Sequence, residues 1–181
     1  MKAIKELGIK KIFRYASNKL LIIIYNGLIF PPLKKTFLKL MGAKIGNNVV
    51  LENVKFFNLY RTGIKGLNIG NNCFIGEECL LDMAGNITLE KNVTLGERIV
   101  VLTHMNVGYK DHPLQKYYHS ITKDVTLREG CFIGTSSTIL AGITVGKCSL
   151  VAAGSIVIKD VKPYTVVGGN PAKEIKKIKP S

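Results

Sequence analysis

A chain of 181 residues is long enough for one domain with a continuous core and too short for several. Lys and Arg number 26 against 12 Asp and Glu, a formal charge of +14, which favours an anionic partner such as a phosphorylated cofactor, an acidic membrane or nucleic acid without choosing among them. The most apolar run, residues 20–30, is too short to span a bilayer and leads into Pro31 and Pro32 rather than a cleavage site, so it reads as neither a transmembrane helix nor a signal peptide.

In residues 1–44, Ile9, Ile12, Phe13, Ala16, Leu20, Ile23 and Ile24 share one face at helical spacing, and the helix must stop before Pro31 and Pro32. Residues 33–41 read as a second short helix closed by Gly42. Such a face is expected to cap the open end of the fold that follows. The alternative is a peripheral membrane contact through residues 1–40, since Lys10, Lys11, Arg14, Lys19, Lys34, Lys35 and Lys39 flank it.

From Ile45 the dominant signal is a period of six. Ile69, Ile75 and Leu81 are in register, as are Leu89, Leu95 and Val101, and then Leu127, Ile133, Ile139, Val145, Val151 and Val157. A smaller residue recurs four places later, as Cys73, Cys79 and Cys131 show, giving two inward positions per repeat. Helices repeat at 3.6 and simple strands at 2, so strict sixes predict short strands joined by corners. Asn47, Asn48, Asn71, Asn72 and Asn92 are suited to those corners. Three strands close one triangular coil, and roughly five coils over residues 45–167 bury a continuous aliphatic column. Residues 51–69, with a degenerate middle, are taken as one eighteen-residue coil. The cysteines lack zinc-site spacing and read as small, reduced core residues, hence a cytoplasmic protein.

Two register breaks mark additions: Leu81 to Leu89 gains two residues, and residues 102–124 form a long loop carrying all three histidines, His104, His112 and His119. Loops of that length are usually functional. At the end, residues 168–181 read as a basic helix, with Asn170 as its cap and Pro171 at its first position.

The closing run CFIGTSSTILAGITVGKCSLVAAGSIVIKDVKPYTVVGGNPAKEIKKI, above all VAAGSIVIKDV and VVGGNPAK, resembles the hexapeptide-repeat acyltransferases, in particular the branch of maltose, galactoside and polysaccharide O-acetyltransferases. The resemblance implies an all-β fold, a left-handed parallel β-helix, assembled as a homotrimer with acetyl coenzyme A as co-substrate in grooves between subunits and no metal. It implies a catalytic histidine at the start of the extended loop, a place occupied by Thr103-His104, with His112 in Asp111-His112-Pro113 as the alternative. A neutral imidazole there can take the proton of an attacking hydroxyl. Cofactor contacts carry over to Thr135, Gly142, Ala153, Lys159, Lys173 and Lys176. Asp82 is expected to bind the acceptor or orient His104, or to be an exposed turn carboxylate. Where sugar-acetylating relatives carry an asparagine near the acetyl site, this chain has Gly76.

The expected function is acetyl transfer to a hydroxyl of a sugar or cell-envelope polysaccharide precursor, at the inner face of the membrane. The alternatives are N-acylation of an amino sugar, a metal-dependent hydratase on the same coil, and a non-catalytic anion-binding scaffold. Nucleic acid is not expected, because the loop shows no aromatic platform interleaved with basic residues as single-strand binders use, and coenzyme A accounts for part of the basic bias.

Overall fold

The computed structural model describes residues 9–109 and 111–179, with side chains from residue 16 onward. Three parallel sheets form the walls of a triangular solenoid. The first holds β1 (Lys44–Ile45), β4 (Leu67–Ile69), β7 (Ile87–Leu89), β12 (Val125–Leu127) and β15 (Thr144–Val145). The second holds β2 (Val50–Leu51), β5 (Phe74–Ile75), β8 (Thr94–Leu95), β13 (Phe132–Ile133), β16 (Leu150–Val151) and β18 (Thr165–Gly168). The third holds β3 (Lys55–Phe57), β6 (Leu80–Asp82), β9 (Val100–Val101), β14 (Thr138–Ile139) and β17 (Ile156–Val157).

The period of six sets this architecture: each repeat supplies one short strand and one corner, and its aliphatic residue points inward. Ile75, Leu95, Ile133 and Val151 are fully buried on successive coils of the second sheet. Cys73, Cys79 and Cys131 take inward corner positions, where burial pushes the Cys79 thiol up to about 11 and the Cys131 thiol up to about 12. The corners need left-handed backbone. Asn48, Asn72 and Asn92 supply it at one corner, with φ of 50°, 57° and 60°. Their side chains bond from coil to coil, Asn48 Nδ2 to Asn72 Oδ1 at 3.1 Å and Asn72 Nδ2 to Asn92 Oδ1 at 3.2 Å.

The first coil departs from the expected length. Ile45 pairs with Ile69 and Leu51 with Ile75, so this coil takes 24 residues, and Leu51 and Ile69 stand in different sheets rather than one coil apart. The extra residues leave at the corner after β3, where a 3-10 turn (Ile64–Gly66) returns the chain to β4. That excursion explains the degenerate pattern, since residues outside the column are released from the inward-outward alternation.

The ends are closed differently. At the amino end lie α1 (Ile9–Gly27) and α2 (Pro31–Leu40), with Gly42 (φ 100°) just past the second helix. Tyr25 and Leu38 are fully buried in the continuous core, with Ile22 and Phe37 packed against it. These helices thus pack against the first coil, but the face that does so is not the expected one. Ala16, Leu20, Ile23 and Ile24 are exposed, while Ile22 and Tyr25 on the other side meet the core. The side chains of Ile9, Ile12, Phe13, Lys10, Lys11 and Arg14 lie outside those described. Lys34, expected to flank the apolar face, is buried with its Nζ 5.6 Å from the Tyr25 ring centroid. Among the described residues, no helix is long and apolar enough to cross a membrane.

At the carboxyl end the expected helix is absent: after Asn170 and Pro171 the chain forms β19 (Lys173–Lys177), antiparallel to β18. The local pattern of AKEIKKIK is compatible with a helix. The open edge of β18 wins instead, because its unpaired N–H and C=O groups are satisfied by a strand along them.

Removing atoms from the column leaves a void that the fixed coil spacing cannot collapse. Ile133→Ala is expected to cost about 2–5 kcal/mol by chemical denaturation, against a few tenths for Ile29→Ala at the exposed corner between the helices.

Candidate active site

Three successive coils are enlarged at the same corner, between the third and first sheets. The first carries residues 58–66, the second the two-residue gain after Leu81, and the third the long loop. The stack brings Asn58, Asp82 and His104 together.

The loop leaves the coil as β10 (His104–Met105) and returns as β11 (Ile121–Thr122), an antiparallel pair in which His104 faces Thr122. Lys123 N donates to Thr103 O at 2.8 Å, and Arg61 Nη1 from the first-coil excursion donates to Thr122 Oγ1 at 2.6 Å. The buried Thr103 hydroxyl donates to Asp82 O at 2.7 Å and accepts from Gly85 N at 2.8 Å. His104 is thus fixed at the root of the loop, where the scaffold holds it, rather than at the tip.

Asp82 is fully buried. Its Oδ2 accepts from Thr103 N at 2.9 Å, from His104 N at 3.0 Å and from His104 Nδ1. Its Oδ1 accepts from Asn58 Nδ2 at 2.8 Å and Ala84 N at 3.2 Å. Burial pushes the carboxyl up, but the hydrogen bonds from His104, Asn58 and Thr103 outweigh it and hold it below its ordinary value. An ionised carboxylate only accepts, so Nδ1 carries a proton, and in the neutral ring it is Nε2 that presents a lone pair. The Asn58 Nδ2 to His104 Nδ1 separation of 3.4 Å is then between two donors aimed at one carboxylate. The His104 side chain is 24% exposed, and Phe57 meets its ring edge-on at 6.4 Å between centroids. This is an imidazole held in one orientation by Nδ1, with its other nitrogen open to a ligand.

Asp82 is accordingly not a substrate-binding group: a side chain with no exposed surface and both oxygens engaged cannot take acceptor hydroxyls. It orients His104. Asn58 was missed by sequence reasoning, because the first coil was assigned eighteen residues. Pairing Ile45 with Ile69 instead would have put Asn58 beside Asp82.

His112 is exposed, and its Nδ1 accepts from Leu114 N at 3.2 Å, capping a 3-10 turn (Pro113–Lys116). His119 is exposed. Among the described residues, no three His, Cys, Asp or Glu side chains converge as a metal site would need.

The other expected residues fall in two places. Gly142 (φ 86°) lies on the corner below His104, where a Cβ would come within 2.8 Å of Lys123 Cδ. Thr135 and Ala153 share the next corner on successive coils, with Gly154 N donating to Thr135 O at 2.9 Å. The Thr135 hydroxyl donates to Glu97 Oε2 at 2.7 Å, a bond that holds the Glu97 carboxyl below its ordinary value and leaves the threonine oxygen to accept. Lys159 and Lys173 line one cleft of about 310 Å³ at the carboxyl end, beside Asp160 and Glu174. Lys176 lies outside that cleft lining, exposed on β19. At Gly76 a Cβ would stand 2.9 Å from the Gly96 carbonyl carbon and oxygen, so an asparagine does not fit there unless the corner shifts.

Comparison with known proteins identifies the class. A family model described as "Hexapeptide repeat of succinyl-transferase" matches residues 66–101 and 125–159. The "Putative colanic acid biosynthesis acetyltransferase WcaF" of Escherichia coli K12 is 30% identical over 140 residues, 77% of this chain and 71% of that one. The galactoside O-acetyltransferase of the same organism is 26% identical over 152 residues, 80% of this chain and 68% of that one. A hexapeptide-repeat acetyltransferase from Vibrio cholerae, solved in complex with acetyl coenzyme A, superposes with a TM-score of 0.79 at 23% identity, covering 91% of this chain and 87% of the other. The chain belongs to the hexapeptide-repeat acetyltransferases and has their left-handed parallel β-helix fold.

Asp82→Asn keeps an acceptor but removes the charge. It is expected to lower turnover by about 10- to 100-fold with the fold retained by circular dichroism. The depressed carboxyl stabilises the fold above its ordinary value near 3.8. That contribution is lost as pH falls through the lower folded-state value. Acid unfolding of the wild type is therefore expected to steepen below about pH 4, and the steepening to be smaller in Asp82→Asn.

Proposed function

We propose that this chain transfers an acetyl group from acetyl coenzyme A to a hydroxyl of a sugar, a cell-envelope polysaccharide or its lipid-linked precursor, with His104 as general base. The observation that carries the proposal is the Asp82–His104 pair at the root of the loop.

Acetyl coenzyme A supplies an activated acyl carbon. His104 Nε2 takes the proton of the acceptor hydroxyl as its oxygen bonds to that carbon, and returns it to the departing sulfur. The imidazole ends neutral, and no acyl-enzyme forms. Asp82 keeps Nδ1 protonated and offsets the positive charge of the imidazolium while it lasts. The open surface of Ala153 and the turn at Gly142 suit close passage of an extended pantetheine arm past backbone, with Thr135 accepting from one of its amides. Lys159, Lys173 and Lys176 supply charge for the nucleotide phosphates. The sugar acceptor is inferred from the relatives, whose names specify galactoside and colanic acid.

Assembly as a homotrimer is supported by exposed apolar residues on the second sheet, Val50, Phe74 and Phe132, which share one register position with Thr94 between the last two. Unpaired, buried thiols fit a reducing cytoplasmic setting.

Release of free thiol from acetyl coenzyme A, measured over sugars and amino sugars, tests the reading. His104→Ala is expected to lose about 10²- to 10⁴-fold, and His112→Ala to stay within a few-fold of wild type. Loss confined to His112→Ala would move the base to that residue, preference for amino sugars would make the reaction N-acylation, and failure to bind acetyl coenzyme A would end the proposal.

A further inference from the structure

One face of the amino-terminal hairpin is accounted for by capping; the other is not. On α1, Leu20, Ile23 and Ile24 point away from the coil, and Ile23 is 67% exposed. At the corner between the helices Ile29 is 92% and Phe30 61% exposed. On α2, Leu33 and Leu40 are exposed and seven residues apart, two turns along one stripe. Seven exposed large apolar side chains on two helices and the corner between them mark a surface that a partner covers.

The charges around it select the partner. On α2 Lys39 is exposed and Lys35 partly exposed, and the sequence has no Asp or Glu between Glu6 and Glu52. A second copy docked through the same hairpin would set these lysines against their own equivalents. An anionic lipid surface meets both needs: headgroups take the lysines, and the acyl boundary takes Ile23, Ile29 and Phe30. Neither helix is long and apolar enough to cross a bilayer, so the hairpin lies on the surface.

We propose that the outer face of the α1–α2 hairpin is a docking surface for anionic membrane lipid. The inner side of α1 faces the active-site corner: Asn18 Nδ2 donates to Leu59 O at 3.0 Å, and Asn18, Lys19 and Ile22 line a cleft of about 270 Å³ with Phe57, Asn58 and Tyr60. One helix therefore has lipid on its outside and the neighbours of His104 on its inside. That arrangement presents a membrane-borne acceptor to the site, a consequence that rests on His104 being the base.

Flotation with phosphatidylcholine vesicles, with and without phosphatidylglycerol, at low and high salt, tests the docking by itself. The intact chain is expected to partition onto the phosphatidylglycerol vesicles about tenfold or more over neutral ones, and to come off as salt rises. An Ile29→Ser/Phe30→Ser double variant is expected to reduce partitioning about tenfold, with molar mass by light scattering and thiol release on a soluble acceptor unchanged. The proposal is overturned if the wild type ignores anionic vesicles at low salt, or if the double variant binds them equally well. A drop in molar mass of the double variant would overturn it too, assigning the face to contacts between copies. Vesicle binding without acetyl transfer would instead count against the reading of His104 and leave the docking standing.

Discussion

The hydrogen-bond register between coils is the constraint from which the rest of this structure follows. A strand in one coil donates to and accepts from its equivalents above and below, as Phe74 N does to Val93 O, Thr94 N to Cys131 O and Phe132 N to Ser149 O. Breaking that ladder inside a wall would leave buried peptide groups unpaired. Added residues can therefore leave only at a corner, and when the next coil resumes, its strands are back in register however many were added. Leu95 pairs with Ile75 twenty positions earlier and with Ile133 thirty-eight later, in the same column. The scaffold tolerates insertions at corners and refuses them on walls, so a site grows where corners coincide.

Here three insertions coincide, and a buried carboxylate joins them. Asp82 would be costly as an isolated charge in the fold. It is held by two backbone donors from the third coil, one from its own coil, an amide from the first and the His104 ring. Those bonds have two effects at once: they keep the carboxylate ionised despite burial, and they tie the third-coil segment of Thr103 and His104 to the paired first and second coils. The precision of His104 comes from that convergence, and the exposed tip with Tyr109 and Tyr117 contributes nothing visible to it.

Much of this was legible beforehand because a period of six over many coils has one structural solution, and because the break from Val101 to Leu127 is too large to hide. What stayed illegible shares a cause. The first-coil excursion obeys no pattern, so neither the length of that coil nor the place of Asn58 beside Asp82 shows in the sequence. Asp82 reads equally well as a turn carboxylate or an acceptor ligand when its five donors are scattered across three coils. At the carboxyl end the local propensity of AKEIKKIK favours a helix, and the deciding partner, the edge of β18, is supplied only by the tertiary fold.

The amino-terminal helix shows a different limit of pattern reading. A periodic apolar stripe identifies a face that avoids water, but the stripe does not say against what. Leu20, Ile23 and Ile24 make the stronger stripe and face outward, whereas the core takes a narrower one built on Ile22 and Tyr25, supplemented from α2 by Leu38. A cap needs few contacts, because the first coil presents only a small triangle of side chains. A helix serving only as that cap would carry polar residues on its back. That this one is apolar on both sides is the feature capping leaves unexplained, and it means that sequence in residues 16–40 answers to two surfaces, the end of the coil and whatever lies beyond it.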